Sequence, residues 1–310
     1  MGQAILKQKI RTFVTENLGF DDCRFCHIPN KKSLARYRSW LKKGFQADME
    51  YLKRHLDLKE HPQHLLTNAR SAIVVIKNYK NTHKKRLDER FKIARYAVGQ
   101  DYHPVIMEKL IQLEVFLKFK EPQIQCYSGV DSRPLAERNL ALLSGIGFLG
   151  KNTMVIRPGL GSYFFIGVVL TTKGFSPDAT LKRNCGRCRK CIEACPTKAI
   201  KANSILDTSR CISYRSIERK KSYAKKEARE SQGWVFGCDI CQEVCPFNHD
   251  KVPLTDWKEF WPQSGVGFDF FDHNAHRLDQ IKIPKDSPLR RAKNHIIENV
   301  RMVQSVLDNR

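Results

Sequence analysis

The chain of 310 residues predicts an α+β fold: a mixed α/β half, then a cysteine-rich module, then a short helical C-terminal tail. Three observations carry that prediction. Apolar residues alternate between helical and strand spacing along residues 1–176. Eight of the 11 cysteines crowd into residues 185–245. A basic helical pattern closes the chain from Ser287 to Leu307. With 41 % apolar residues there is enough material for real cores, and the expected division is 1–176, 177–252 and 253–310.

Each element has its own signal. In residues 1–20, Ile5, Leu6, Ile10, Phe13, Val14 and Leu18 recur near helical spacing, and Gly19 ends the run. Ser71 to Ile76 (SAIVVI) is a β-branched run of strand length. Val105 to Phe119 puts Ile106, Leu110, Leu113 and Leu117 on one helical face, with Pro122 beyond its end. Pro134 to Leu143 reads as another helix, closed by Ser144-Gly145, and Tyr163 to Thr172 as a second buried strand. Gly174 to Pro177 reads as a linker. Such alternation suits a layered α/β or α+β domain. Beyond residue 180 the pattern shortens into loops and cysteine turns, and 253–285 is aromatic and irregular. Ser287 is the expected N-cap of the last helix, with Pro288 in its first turn.

Composition excludes several classes. The longest apolar stretch, Tyr163 to Leu170, is too short to cross a bilayer. Lys7, Lys9 and Arg11 interrupt any secretory-type apolar run, and Leu6 stands where a myristoylation signal needs Ser or Thr. A soluble, cytoplasmic monomer with no membrane partner is the expectation. Charge adds a second constraint: 55 Lys and Arg against 32 Asp and Glu give +23. A solvated surface accounts for part of such an excess, but a polyanionic partner accounts for it better when it is local. From Lys182 to Arg229, 15 basic residues face four acidic ones, a net +11.

The cysteines are the most specific signal. Cys185, Cys188, Cys191 and Cys195 follow C-x2-C-x2-C-x3-C-P spacing, and Cys238, Cys241 and Cys245 repeat its ending. Cys211 lies between the runs. A reducing compartment turns clustered thiols toward metal chemistry rather than disulfides. This is the two-cluster ferredoxin grammar, in which the last cysteine of each run ligates the other [4Fe-4S] cluster. Cluster one is thereby assigned Cys185, Cys188, Cys191 and Cys245, and cluster two Cys195, Cys211, Cys238 and Cys241. A pair of four-cysteine zinc sites is the competing assignment. Cys23 and Cys26 form an isolated C-x2-C beside His27 and read as buried structural thiols; Cys126 reads as a strand residue before a loop.

With those residues in view, the chain resembles the epoxyqueuosine reductase family. The resemblance is carried by ADMEYL (47–52), ARYAVGQDYH (94–103), VDSRPLAERNLALLSGIGFLGKNTMVI (130–156) and GSYFFIG (161–167). It continues through the first cysteine run, CISYRSIE (211–218), GWVFGCDICQEVCPFN (233–248) and SPLRRAKNHIIEN (287–299). Arg133 departs from the family's small residue in the VDSRP loop, and the Cys23–Cys26 pair is not a family feature. Longer relatives continue into a helical-repeat tail.

The resemblance implies a cobalamin-binding first domain, a ferredoxin-like two-cluster module, and reduction of an epoxide to an alkene, giving queuosine at the tRNA wobble position. The cofactors it implies are two [4Fe-4S] clusters and cobalamin; its partners are the tRNA anticodon stem-loop and a low-potential donor such as a flavodoxin or ferredoxin. Asp131 matches the family's proton donor, a role that calls for a raised pKa, which burial beside the corrin would supply; a helix cap is the bland alternative. By motif position the corrin contacts are Arg54, Ala94, Asp131, Lys151, Asn152, Ser213 and Asp239, while His103 faces either cofactor or substrate or is structural. Arg215, Arg219, Lys220, Lys221, Lys225 and Lys226 are candidates for the tRNA backbone, against a solvated basic helix. A soluble corrinoid reductive dehalogenase, an iron–sulfur electron-transfer protein and a zinc-dependent RNA-binding protein are the alternatives.

Overall fold

Four strands make the central sheet of the first half: β1 (Asp22–His27), β2 (Ser71–Asn78), β3 (Cys126–Gly129) and β4 (Phe164–Thr171). The order is β1-β2-β4-β3 and every neighbouring pair is antiparallel. This computed structural model describes residues 2–82, 89–249, 251–263 and 270–309. β2 and β4 pair along their full length, from Ser71 opposite Thr171 to Asn78 opposite Phe164.

Successive side chains of a strand point to opposite faces, so an uninterrupted apolar run needs cover on both. Ile73, Val75 and Val169 enter one core with α1 (Gln3–Thr12) and α2 (Tyr102–Lys120). Val74, Ile76, Val168 and Leu170 enter another, against Leu140 and Ala141 of α3 (Glu137–Leu143). The same alternation settles the N-terminal thiols. Cys23 and Cys26 stand three apart on β1, hence on opposite faces, one in each core. They share no metal, and burial pushes both thiols up, Cys26 to about 12.

Helix boundaries depart from the sequence pattern for physical reasons. The first helix is α-helical only to Thr12; Phe13–Asn17 widens into a π turn, with Leu18 N–H donating to Phe13 O at 3.0 Å. That extra residue keeps Val14 and Leu18 on the buried side. α2 starts three residues before its apolar pattern because the Asp101 carboxylate accepts the His103 N–H, capping the helix. α3 starts at Glu137 rather than Pro134, because residues 131–135 are used in a tight turn.

A third core gathers Phe91, Ile93, Trp234, Phe236, Phe271 and Leu289 with Ile296, Val300 and Val303 of α4 (Lys293–Leu307). Ser287 caps the turn before α4, its Oγ accepting from Leu289 N–H. The irregular aromatic segment is split between cores: Trp257 and Phe260 belong to the first, and residues 264–269 lie outside the described residues. Lys77, buried in β2, anchors this return by donating to Gly19 O at 2.8 Å and pairing with Asp256.

The first half and the cysteine module meet at Arg95. Its guanidinium is 2 % exposed and binds Glu243, 5 % exposed, with Nε to Oε1 at 2.9 Å. Its N–H donates to Asp239 Oδ2 at 2.8 Å. Beside it, Lys92–Ile93 pairs in parallel with Trp234–Phe236. Removing one partner of a buried pair strands the other charge, so Arg95→Met is predicted to cost about 3–5 kcal/mol. Anaerobic urea unfolding of the cluster-loaded protein checks this; a loss below about 1 kcal/mol, the size of an exposed pair, would contradict it.

Candidate active site

The cysteine runs fold so that each thiol meets the neighbours its spacing demanded. Burial and then the adjacent Cys245, Cys185 and Cys188 push the Cys191 thiol up to about 11. Burial raises Cys238 well above its ordinary value, helped by Cys241 and Cys211, and Cys211 in turn has Cys195 beside it. Cys241 also feels Cys191, so the two sets are adjacent. A four-thiolate zinc site brings its sulfurs within about 3.8 Å, given Zn–S bonds near 2.3 Å. Among the described residues, the group of three His, Cys, Asp or Glu side chains whose ligand atoms lie within 4.8 Å of one another is Asp57, His61 and His64, and it contains no cysteine. Backbone N–H groups already point at sulfur, from Ala199 to Cys195 at 3.3 Å and from Lys151 to Cys185 at 3.4 Å.

Several residues expected at the corrin also hold these loops. Lys151 Nζ donates to Gly186 O and Cys188 O, both at 2.8 Å. Asn152 is buried at the tip of a hairpin and its Nδ2 reaches Cys241 O at 3.3 Å. Asp239 is not a side-chain helix cap; it is buried against the Arg95 N–H. Ala94 is buried too, and its Cβ is so close to Gly237 (φ +69°) that a side chain there would collide at 2.5 Å. Asn248 completes the frame, accepting from Ser162 N–H at 2.7 Å and donating to Gln242 O at 3.0 Å.

Asp131 stands at φ +49°, a conformation non-glycine residues adopt at a cost. Its N–H donates to Glu137 Oε1, and Ser132 N–H closes on Val130 O at 2.6 Å. The side chain is 61 % exposed, yet one oxygen is engaged from behind. Asp131 Oδ2 accepts from the Tyr102 hydroxyl and lies 3.3 Å from His103 Nε2. His103 Nδ1 is 2.6 Å from Asp101 Oδ1, and Arg291 approaches the other Asp101 oxygen at 2.9 Å. Tyr102 stacks between the His103 and Phe165 rings at 4.1 and 4.0 Å.

The electrostatics of the turn divide its acidic groups. Burial by itself would raise Asp131, but hydrogen bonds from His103 and Tyr102 and the His103 and Arg138 charges bring it below the usual carboxylate range. Two carboxyls in this neighbourhood are raised by burial and by Asp131's charge: Glu137, pushed to about 8, and Glu218. Burial would lower His103, yet the two carboxylates outweigh it and lift the imidazole to about 9. The larger Arg133 is accommodated because its stem crosses Gly129 and its guanidinium lies 5.5 Å from the centre of the Tyr127 ring.

The basic candidates divide in two. Arg219 is clamped on Glu227 by bonds of 2.7 and 2.8 Å, and Arg215 binds Glu230 at 2.8 Å and Ser209 O at 3.0 Å. These two arginines brace the module. Lys220, Lys221, Lys225 and Lys226 are exposed. Arg54 is exposed on a short helix, and Ser213 is half-buried on Ile212–Ile217. The ADMEYL segment reaches that second helix through Asp48, whose carboxylate accepts from Tyr214 OH at 2.8 Å. Just before it, Gln46 is buried and its Oε1 has no hydrogen-bond partner among the described residues.

Sequence reasoning missed Tyr102, Glu137 and Gln46. DYH and AERN were legible as text, but only the turn at Asp131 brings a tyrosine 29 positions away onto its carboxylate.

Comparison with known proteins agrees with this geometry. Residues 59–132 match the family model described as epoxyqueuosine reductase QueG, DUF1730, and residues 184–248 match a 4Fe-4S double cluster binding domain. The epoxyqueuosine reductase of Synechocystis sp. is 37 % identical over 76 % of this chain and 82 % of its own length. That of Cyclobacterium marinum is 34 % identical over 89 % of each. A Bacillus subtilis epoxyqueuosine reductase, solved with its catalytic aspartate loop swung out of the active site, superposes with a TM-score of 0.83 at 28 % identity, over 99 % of this chain and 83 % of that one. An epoxyqueuosine reductase bound to an epoxyqueuosine-modified tRNA-Tyr stem loop gives 0.82 at 28 % identity, over 98 % of this chain and 82 % of that one. Identity of 34–37 % across more than four-fifths of those two relatives places this chain in the epoxyqueuosine reductase family.

Proposed function

We propose that this protein reduces epoxyqueuosine to queuosine at the wobble nucleoside of tRNA. The observation that carries the reading is Asp131 held in a strained, solvent-facing turn beside two adjacent four-thiol sets, its charge and that of Asp239 in the second cysteine run both acting on Tyr96. The overall change takes two electrons and two protons, and the oxygen leaves as water. Cobalamin, when bound, supplies a metal centre able to act on carbon, recharged by single electrons from the two [4Fe-4S] clusters.

The residues present fit those groups. Cys185, Cys188, Cys191 and Cys245 hold one cluster, and Cys195, Cys211, Cys238 and Cys241 the other. The charges of Asp131 and Asp239 both act on the hydroxyl of the half-buried Tyr96, so the Asp131 turn and the second cysteine run border one region, which we assign to the corrin. The orphaned Gln46 Oε1 is an acceptor for a corrin amide, with Arg54 and Ser213 as further contacts. Ala94, Lys151, Asn152 and Asp239 act from behind, by fixing the cluster loops.

Asp131 hands the proton to the departing epoxide oxygen, which is a poor leaving group without it. Tyr102 keeps the carboxylate turned toward the opening. Lys220, Lys221, Lys225 and Lys226 track the stem-loop backbone without reading its sequence. Exposed Arg187, Arg189 and Lys190 around the Cys185–Cys191 loop suit an acidic donor of the ferredoxin or flavodoxin type. The protein works as a monomer, and no described helix is long and apolar enough to cross a membrane.

Nucleoside mass spectrometry of epoxyqueuosine stem-loop treated with the anaerobically reconstituted protein tests the reaction. Queuosine should form only with cobalamin present, and Asp131→Asn should slow it about 10²–10⁴-fold. A fully loaded wild-type protein that forms none would end the proposal. Joint replacement of Lys220, Lys221, Lys225 and Lys226 by Gln should weaken stem-loop binding. It should also flatten the salt dependence, lowering its slope by about 0.7 for each phosphate no longer neutralised; an unchanged slope would remove these lysines from the RNA path.

A further inference from the structure

Asp131 is held ionised, whereas the reaction consumes two protons at one oxygen. We propose that His103 is the proton reservoir of the site, delivering protons to the epoxide oxygen through the Asp131 carboxylate. This rests on the reading of Asp131 as the proton donor.

The geometry of the ring carries the argument. His103 Nδ1 lies 2.6 Å from Asp101 Oδ1 and Nε2 lies 3.3 Å from Asp131 Oδ2. A neutral imidazole has one donor nitrogen and one acceptor, so with both carboxylates ionised the two nitrogens are satisfied together by imidazolium. A cation at the start of a helix is opposed by the helix dipole, and two facing carboxylates outweigh that. Capping α2 needs no charged ring, because it uses the His103 backbone N–H. Asp101 is itself fixed by Arg291 at 2.9 Å, so the imidazole has a rigid rear anchor and a forward acceptor.

In each delivery the Nε2–H bond breaks and an O–H bond forms on the Asp131 carboxylate. That proton then passes to the epoxide oxygen as a C–O bond breaks and its electron pair goes to oxygen. The neutral imidazole recovers a proton from solvent, to which its side chain is 19 % exposed. Two deliveries with the two electrons of the overall reduction release the oxygen as water. His103 acts through Asp131 and is a positioning and relay residue, not one that touches the substrate.

Other charges frame the relay. Arg138 and Lys59 act on Asp131 from α3 and from residues 56–60. Glu137 and Glu218, both raised by burial, face the same carboxylate. Tyr96 and Tyr102 lie well above their ordinary values and stay neutral.

Two readouts test the relay. In nitrogen-15 histidine NMR of the cluster-loaded protein, the His103 resonance, assigned by its loss in His103→Gln, should titrate near 9. It should fall toward the ordinary value of about 6.5 in Asp101→Asn and Asp131→Asn. In single-turnover assays the wild-type rate should drop as pH rises through about 9. His103→Gln should lose that alkaline limb and slow the reaction about 10²–10⁴-fold while stem-loop affinity holds. Wild-type titration near 6.5, or an unaltered alkaline limb in His103→Gln, would overturn the relay alone. Absence of queuosine with the wild-type protein would sink the underlying function instead.

Discussion

A buried guanidinium cannot stand alone, and the lock between Arg95 and Glu243 is what gives the rest of the molecule its geometry. Glu243 sits between Cys241 and Cys245, so one ion pair fixes the spacing of two thiols that belong to different sets. The Arg95 N–H does the same for Asp239, next to Cys238. The sheet-bearing half thus dictates where the second cysteine run lies. Asn152 on Cys241 O and Lys151 on the Cys185–Cys188 loop repeat that logic from the hairpin at residues 148–156. The metal-binding loops contribute little regular structure of their own and are positioned from outside.

The Asp131 turn follows a different principle. Asp131 occupies a backbone conformation that must be over-determined by its surroundings, and Glu137, Tyr102 and His103 supply the determinants from two helices. Their combined effect on charge is asymmetric. The exposed carboxylate is kept ionised, the carboxyl behind it is kept neutral near pH 7, and the imidazole is kept charged. Acid–base roles in a site are set by such divergent environments rather than by residue type.

Sequence alone carried the two central strands, the α2 face and the two-cluster cysteine module, because each depends on short-range periodicity or fixed spacing, whereas it did not show β1 as a strand. SAIVVI and YFFIGVVLT could hardly be anything but buried strands. The fourfold cysteine run and the clipped second run left Cys211 as the outstanding candidate ligand, and the fold puts Cys195 beside it. What stayed illegible depends on long-range packing. The sense of the Asp131 shift hinges on Tyr102 and His103 arriving from another element, which no local text shows. Lys151, Asn152 and Asp239 are polar residues in matching motifs, but only the fold shows that their polar atoms hold cluster loops. Arg215 and Arg219 look like free cations until Glu227 and Glu230 are seen closing on them.

The central claim is that two interleaved thiol sets, positioned by the sheet-bearing half, build an electron path that serves the Asp131 turn. Iron-edge anomalous diffraction from crystals of the anaerobically reconstituted protein tests it most directly. The account predicts two cubanes, one bound by Cys185, Cys188, Cys191 and Cys245 and the other by Cys195, Cys211, Cys238 and Cys241. A single cluster, single-atom zinc scatterers, or Cys245 and Cys195 each bound within its own run would contradict it.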